Sequence, residues 1–162
     1  MDRCGRRHKE GTISMNTKPS YEQLVEEARL AKTLMVRVEE ADGIAVVTMS
    51  DPSNRNALGA ALTLQLRDTL ERLAADAAVR AIVLTGDGGA FSAGGDLRAM
   101  VEKVEPIVDE SDEGAVAMWR WIRRHFGSIV RTIVGTDKPF IAAVGGPAAG
   151  VGLAFAMACA SR

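Results

Sequence analysis

The sequence predicts an α/β fold in which parallel strands alternate with helices. Two apolar runs, residues 81–85 and 139–144, have the length of buried strands. Helix-period apolar patterns precede both runs, and a glycine-rich segment follows each one. Strands that are separated by helical crossovers pair in parallel, so we expect a parallel sheet covered by helices. The chain has 162 residues, which is enough for one domain with a core.

Residues 1–33 are predicted to form an N-terminal extension, disordered at first and then a short helix. The start of this extension is basic, but it lacks the apolar segment of a secretory signal. Ser20 and Gln23 are spaced as in a capping box, which predicts a helix from there to about residue 32.

The core domain is predicted to span residues 34–162 and to open with a β-hairpin. Its strands are expected at residues 34–39 and 43–49. The Asp42-Gly43 pair between them is a hairpin signal, since both residue types tolerate the positive φ angles of a tight turn.

Helical periodicity predicts two amphipathic helices after the hairpin. The first is indicated by the spacing of Leu62, Leu66, Leu70 and Leu73. The second has a longer apolar stripe, which we expect to face the core, formed by Ala115, Trp119, Ile122, Phe126, Ile129 and Ile133. A mobile acidic loop is predicted at residues 102–113, and a helix of small residues at about 150–160.

Bulk composition excludes several classes of function. The net charge is −1, so nothing steers the protein toward nucleic acid or an anionic membrane. No apolar stretch of the sequence is long enough to span a bilayer. Two cysteines do not make a disulfide framework, which indicates a reduced, cytoplasmic setting. The two histidines lack the spacing of metal ligands, so no metal site is predicted.

Two glycine-rich clusters carry the functional signal. Residues 86–97 follow the first apolar run, and residues 145–152 follow the second. Glycine accepts positive φ angles and lets the backbone approach a ligand closely. Two such loops can aim two backbone N–H groups at one point, which is how an oxyanion hole is built.

Other interpretations of the first cluster fit less well. A phosphate-binding loop needs a Gly-Lys-Ser/Thr ending that is absent. A dinucleotide-binding loop needs a third glycine where this chain has Phe91 or Ser92. A nucleophile elbow on Ser92 would need a glycine in place of Ala90 and a base, for which only His8 and His125 exist. The remaining alternative is that both glycine-rich clusters are tight turns with a purely structural role.

Three segments resemble the signatures of the crotonase, or enoyl-CoA hydratase/isomerase, superfamily. Residues 78–97 resemble its first signature and residues 138–153 its second. Residues 51–58, DPSNRNAL, resemble the upstream Arg-Pro-x-x-x-Asn-Ala-Leu segment of the family. The resemblance implies a spiral of repeated ββα units and a homotrimer or hexamer. It also implies that the C-terminal helical region of trimerisation is missing from these 162 residues.

The resemblance also implies a chemistry. Family members bind acyl-CoA thioesters and stabilise an enolate-like oxyanion with two backbone N–H groups, which would here be those of Gly95 and Val151. Coenzyme A is then part of the substrate, and no separate cofactor is implied. The implied coenzyme A contacts are Arg55, Ala57, Ala93, Asp96, Leu97 and Gly150. Trp119 and Phe126 lie on the helix that in the family often forms a wall of the acyl pocket. Their apolar character is better explained by the stripe that faces the core.

The acid and base groups of a hydratase are not matched. The first of the two family glutamates aligns with Ala154, and the second would lie beyond Arg162. An apolar residue at Ala154 resembles isomerase-type members. Asp96 is better explained as the cap of a helix that begins near Leu97. We therefore expect either an isomerase-type enzyme that acts on acyl-CoA or a non-catalytic acyl-CoA binder.

Overall fold

The computed structural model describes residues 21–99, 116 and 119–160. Four strands form one sheet, in the order β1 (Val36–Ala41), β2 (Ile44–Met49), β3 (Ala81–Gly86) and β4 (Phe140–Ala143). β1 and β2 are antiparallel, whereas β2, β3 and β4 are parallel. The predicted α/β class is therefore confirmed.

The turn between β1 and β2 is the predicted hairpin. Asp42 and Gly43 both have positive φ angles, 50° and 75°. This pair of left-handed residues matches the right-handed twist of the two strands. The strands begin and end within two residues of the expected bounds.

The described residues include five α-helices beside the sheet: α1 (Tyr21–Arg29), α2 (Ala60–Ala75), the single turn α3 (Leu97–Ala99), α4 (Gly127–Gly135) and α5 (Gly150–Cys159). A 3₁₀ turn, Pro52–Asn54, follows β2, and a π-helical turn, Ile122–Phe126, leads directly into α4. No described helix has both the length and the hydropathy needed to cross a membrane. The predictions for residues 1–14, for Ser20 and for the acidic loop lie outside the described residues.

The core lies between the helices and one face of the sheet. The strand residues that alternate onto this face are fully buried, namely Ala45, Val47, Met49, Ile82 and Leu84. They meet the predicted leucine stripe of α2, together with Ile129 and Ile133 of α4 and Phe155 of α5. On the opposite face Ile141 is 53% exposed. The period of two along each strand therefore separates a buried face from an open one.

The stripe predicted for the second long helix is only half correct. Ile129 and Ile133 are buried and Phe126 packs against the core, but Trp119 is 56% exposed and Ile122 is 48% exposed. The reason is the π-helical turn, which places an extra residue in the helical ladder. The side chains at the start of this turn and before it consequently point in a different direction from those after it, which face the core. Trp119 is not a core residue, contrary to the explanation preferred from the sequence.

Lys138 stabilises the C-terminal end of α2. Its Nζ donates a hydrogen bond of 2.9 Å to the carbonyl of Leu73 and another to the carbonyl of Asp76. A cation at this end satisfies carbonyls that have no intrahelical partner and interacts favourably with the helix dipole. The lysine that opens the second signature thus has a structural role, which fixes the start of β4 against α2.

Candidate functional site

The two glycine loops lie side by side because they leave adjacent parallel strands at the same edge of the sheet. The first loop follows β3 and the second follows β4. The N–H of Phe91 donates to the carbonyl of Pro147 across 3.0 Å, and the N–H of Ala149 donates to the carbonyl of Ser92 across 2.9 Å. A parallel bridge between Ser92 and Ala148 joins them as well. The two loops are therefore one unit.

Two glycines, Gly94 and Gly150, lie against each other where the loops meet. Gly94 has a φ of +91°, and a Cβ atom there would lie 2.8 Å from the carbonyl oxygen of Ala149. Gly150 has a φ of +51°, and a Cβ atom there would lie 3.7 Å from the Cα of Gly94. Only glycine combines this conformation with this contact at Gly94.

In the described part of the chain, the residues that follow these two glycines carry backbone N–H groups without a hydrogen-bond partner. Within the described residues, neither the N–H of Gly95 nor that of Val151 donates a hydrogen bond. Val151 lies in the first turn of α5, where the first bonds are those from Gly152 and Leu153 to the carbonyl of Ala149. The N–H groups that precede Gly152 in this helix have no intrahelical acceptor, and they lie at the positive end of the helix dipole. Both N–H groups are therefore available to a ligand.

The upstream segment that follows β2 completes the unit. The N–H of Ala93 donates to the carbonyl of Arg55 across 2.9 Å. The N–H of Leu58 donates to the carbonyl of Gly94 across 2.7 Å, and a parallel bridge joins Leu58 to Gly95. All three signature segments of the sequence thus meet in space.

Asn56 is the residue that holds these segments together. It is fully buried, and its Nδ2 donates to the carbonyls of Asp87 and Ala90 across 2.9 and 2.8 Å. Its Oδ1 accepts the N–H of Asp51 across 2.8 Å. The sequence alone predicts no role for Asn56. The available signal was its residue type, since asparagine tolerates the left-handed conformation found here, a φ of 54°.

Ser92 has a structural role in the same unit. Its hydroxyl is fully buried, donates to the carbonyl of Asn56 across 2.8 Å and accepts the N–H of Gly94 across 3.1 Å. Both hydrogen-bond partners are therefore backbone groups. This arrangement accounts for Ser92 without a nucleophile elbow.

The predicted coenzyme A contacts lie along this unit. Arg55, Ala93, Leu97 and Gly150 are exposed, and within the described residues the guanidinium of Arg55 forms no ion pair. Ala57 differs, because its side chain is buried. Arg55 is therefore a cation without an ion-pair partner among the described residues.

The two carboxylates of the first loop both have polar partners. Asp87 accepts a hydrogen bond of 2.9 Å from the guanidinium of Arg37, and this bond holds the pKa of the Asp87 carboxyl below its ordinary value. Asp96 accepts a hydrogen bond of 3.0 Å from Nδ2 of Asn54, a contact that the predicted capping role did not include. Ala154 is exposed on α5. In the part of the chain that the structure describes, no three acidic, histidine or cysteine side chains are grouped as metal ligands would be.

Parallel strands with paired glycine loops at one sheet edge define a candidate site lined by backbone groups in an α/β protein. The sequence profile of the enoyl-CoA hydratase/isomerase family matches residues 39–162. The chain belongs to this family, which confirms the resemblance to the crotonase superfamily.

Individual relatives agree with the family assignment. The 4-chlorobenzoyl coenzyme A dehalogenase-2 of an Arthrobacter species is 36% identical over 76% of this chain and 42% of its own length. The hydroxycinnamoyl-CoA hydratase-lyase of Pseudomonas fluorescens is 35% identical over 76% of this chain and 43% of its own length. The chain thus spans less than half the length of these relatives.

Solved structures of the superfamily share the fold. An enoyl-CoA hydratase/isomerase from Xanthobacter autotrophicus Py2 superposes with a TM-score of 0.68 at 30% identity, over 79% of this chain and 45% of that one. An enoyl-CoA hydratase from Thermoplasma volcanium GSS1 superposes with a TM-score of 0.64 at 28% identity, over 78% and 46%. The fold described here is therefore that of the crotonase superfamily.

Proposed function

We propose that the protein binds an acyl-CoA thioester with its carbonyl oxygen between the N–H groups of Gly95 and Val151. This proposal is carried by two N–H groups that have no hydrogen-bond partner among the described residues, on two loops in contact through Gly94 and Gly150. As a thioester becomes an enolate, negative charge gathers on its carbonyl oxygen. Two fixed donors stabilise that charge more than they stabilise the neutral carbonyl, which is the requirement for catalysis.

Coenzyme A would be held along the outside of the same unit. The guanidinium of Arg55 is exposed and can pair with a phosphate, a geometry for which arginine is well suited. Ala93 and Leu97 expose small and apolar surface beside it, and Gly150 exposes backbone. Coenzyme A enters as part of the substrate, and the proposed chemistry needs no other cofactor.

We propose isomerase-type chemistry, the movement of a double bond next to the thioester, in preference to hydration. Ala154 lies one turn after Val151 on α5 and has no proton to exchange. Hydration needs groups that activate water and protonate the α-carbon, whereas isomerisation needs a single group that takes a proton from one carbon and returns it to another. The names of the two relatives above show that family members act on varied CoA thioesters.

The test is to measure binding and turnover separately. Calorimetry with 2-enoyl-CoA, 3-enoyl-CoA and free coenzyme A reports binding, and ultraviolet absorbance reports both isomerisation and hydration. Conversion of 3-enoyl-CoA without hydration of 2-enoyl-CoA supports the proposal. Hydration as the faster reaction would contradict the isomerase assignment, and the absence of thioester binding would overturn the site itself.

The alternative is a non-catalytic acyl-CoA binder. The observation that favours it is that Asp87 and Asp96, the two carboxylates of the first loop, already have polar partners. Tight binding of both enoyl-CoA substrates with no turnover of either would establish this alternative.

A further inference from the structure

A basic groove lies on the helical segment that precedes and enters α4, and it shares no residue with the site above. Its volume is about 420 Å³, and it is lined by Trp119, Arg120, Arg123, Arg124 and Arg131. All four arginines face this one groove. Cavities of this size are within the range that holds small molecules.

The positive charge of this groove is not balanced by the described part of the chain. No described acidic side chain forms an ion pair with any of the four arginines. Arg67 provides a contrast, since it pairs with Asp68 and Glu71. Like charges three or four residues apart on a helix repel each other, so an anion that binds among them relieves an unfavourable interaction.

The groove is also shaped by local contacts. The guanidinium of Arg131 reaches back over Gly127, where a Cβ atom would lie 3.2 Å from its Nη1, and donates a hydrogen bond of 3.4 Å to the carbonyl of Arg123. The guanidinium of Arg123 lies 5.0 Å from the ring centre of Trp119. The missing side chain at Gly127 makes room between the arginines, and Trp119 adds an exposed aromatic surface.

The π-helical turn Ile122–Phe126 explains why this surface is exposed. The turn rotates Trp119 and Ile122 away from the core, so their apolar surface is exposed to solvent. Such turns are concentrated at functional sites because they re-aim side chains that a regular helix would bury.

We propose that this groove binds a nucleotide, with its phosphates among Arg120, Arg123, Arg124 and Arg131 and its base against Trp119. Planar guanidinium groups bind phosphate oxygens in pairs, and several together favour a ligand with clustered phosphates. The exposed indole offers a flat surface on which a base can stack. The same chemistry occurs in a free nucleoside diphosphate and in the ADP portion of coenzyme A. This inference does not rest on the proposed thioester site.

Calorimetric titration of the purified protein with ADP, at low ionic strength, tests the proposal. The double substitution Arg120→Gln and Arg124→Gln removes two charges that have no other described partner, so we expect ADP to bind about tenfold or more weakly. Arg72→Gln is the matched control, because Arg72 is an exposed arginine outside the groove that pairs with Glu40. Its ADP affinity should equal that of the wild type.

The position of the base is tested by fluorescence. The chain has two tryptophans, so Trp121→Phe leaves Trp119 as the sole reporter. ADP should change its emission, and Trp119→Ala should weaken the binding of ADP but not that of pyrophosphate. Titration with coenzyme A and with ADP distinguishes the two sources, since a site for a free nucleotide prefers ADP. Undetectable ADP binding, or equal binding by the double variant and the wild type, would overturn the proposal.

Discussion

The buried hydroxyl of Ser92 donates a hydrogen bond to the backbone carbonyl of Asn56 across 2.8 Å. The amide of Asn56 in turn donates to the carbonyl of Ala90, two residues before Ser92. Each residue therefore fixes the backbone of the loop that carries the other. Because every partner is a main-chain group, the two side chains set the shape of the loops that carry the proposed N–H donors.

Proline at Val151 should remove one proposed oxyanion donor and little else. The N–H of Val151 has no partner in the described residues, and proline is tolerated in the first turn of a helix. Val151→Pro should lower kcat/KM for the preferred thioester by about 10²–10³, the typical loss for one such donor. Val151→Ala keeps the N–H and serves as the control. Equal activity of the two variants, with unchanged circular dichroism, would contradict the proposed role.

Alanine at Gly94 should separate the two glycine loops. The left-handed φ of Gly94 and its approach to the carbonyl of Ala149 leave no room for a side chain. We expect a loss of roughly 2–3 kcal/mol in the free energy of unfolding, measured by urea denaturation, together with loss of thioester binding. Gly145→Ala is a matched control in the second loop, since nothing lies within 4 Å of a Cβ atom there. A stable, binding-competent Gly94→Ala protein would refute this account of the contact.

Asn56→Ala should be among the most destabilising substitutions of a polar residue. It leaves the carbonyl of Ala90 and the N–H of Asp51 without the hydrogen bonds that Asn56 supplies, and it places alanine in a left-handed conformation. The expected loss is about 2–4 kcal/mol in urea denaturation. Ser53→Ala, which removes only an exposed hydrogen bond to Asp51, should change stability by far less. Similar losses in both variants would argue against Asn56 as the organising residue.

Acid should destabilise the fold through His125. Burial, followed by the charges of Arg67 and Arg124, lowers the pKa of His125 to about 4 from its ordinary value of 6.5. The unfolded chain therefore takes up a proton before the folded protein does, and the free energy of unfolding falls as the pH drops from about 6.5 to about 4. The expected loss is roughly 2–3 kcal/mol. His125→Gln should remove this part of the pH dependence, and an unchanged profile would contradict the assignment.

Cys159 should be inert toward thiol reagents while the protein is folded. It is buried, and burial raises the pKa of its thiol to about 11, so little of the reactive thiolate exists at neutral pH. In a Cys4→Ser variant, Ellman's reagent should detect almost no thiol under native conditions and one thiol per chain in denaturant. Rapid labelling of the native variant would show that the last turn of α5 opens readily.

The parts of the fold that could be predicted are those set by local periodicity. The leucines of α2 and the Asp42-Gly43 turn each determine their own geometry, and both predictions are confirmed. The orientation of Trp119 could not be predicted, because it depends on the π-helical turn. The local sequence carries no recognisable signal for that turn. Asn56 was overlooked for a related reason, since its partners are distant in sequence and meet only in the folded chain.

Less of the candidate site than of the fold could be predicted from the sequence. The glycine clusters indicated a close approach of two loops, and the contact between Gly94 and Gly150 confirms it. The roles of Gly95 and Val151 as donors, and of the coenzyme A contacts, stay predictions. The arginine groove was not foreseen, because its residues share a helix face that becomes visible only when Gly127 and the rotated Trp119 are placed in space.

The hydrogen bonds that Asn56 makes with the first loop also constrain the order of folding. They connect residues 31, 34 and 36 positions apart, and they can form only after α2 has returned the chain to pair β3 with β2. The entropy of closing that long a loop must be offset by strand pairing before these bonds add any stability. We therefore expect the geometry of the two glycine loops to form late in folding, and no short peptide carrying the glycine motifs should reproduce it.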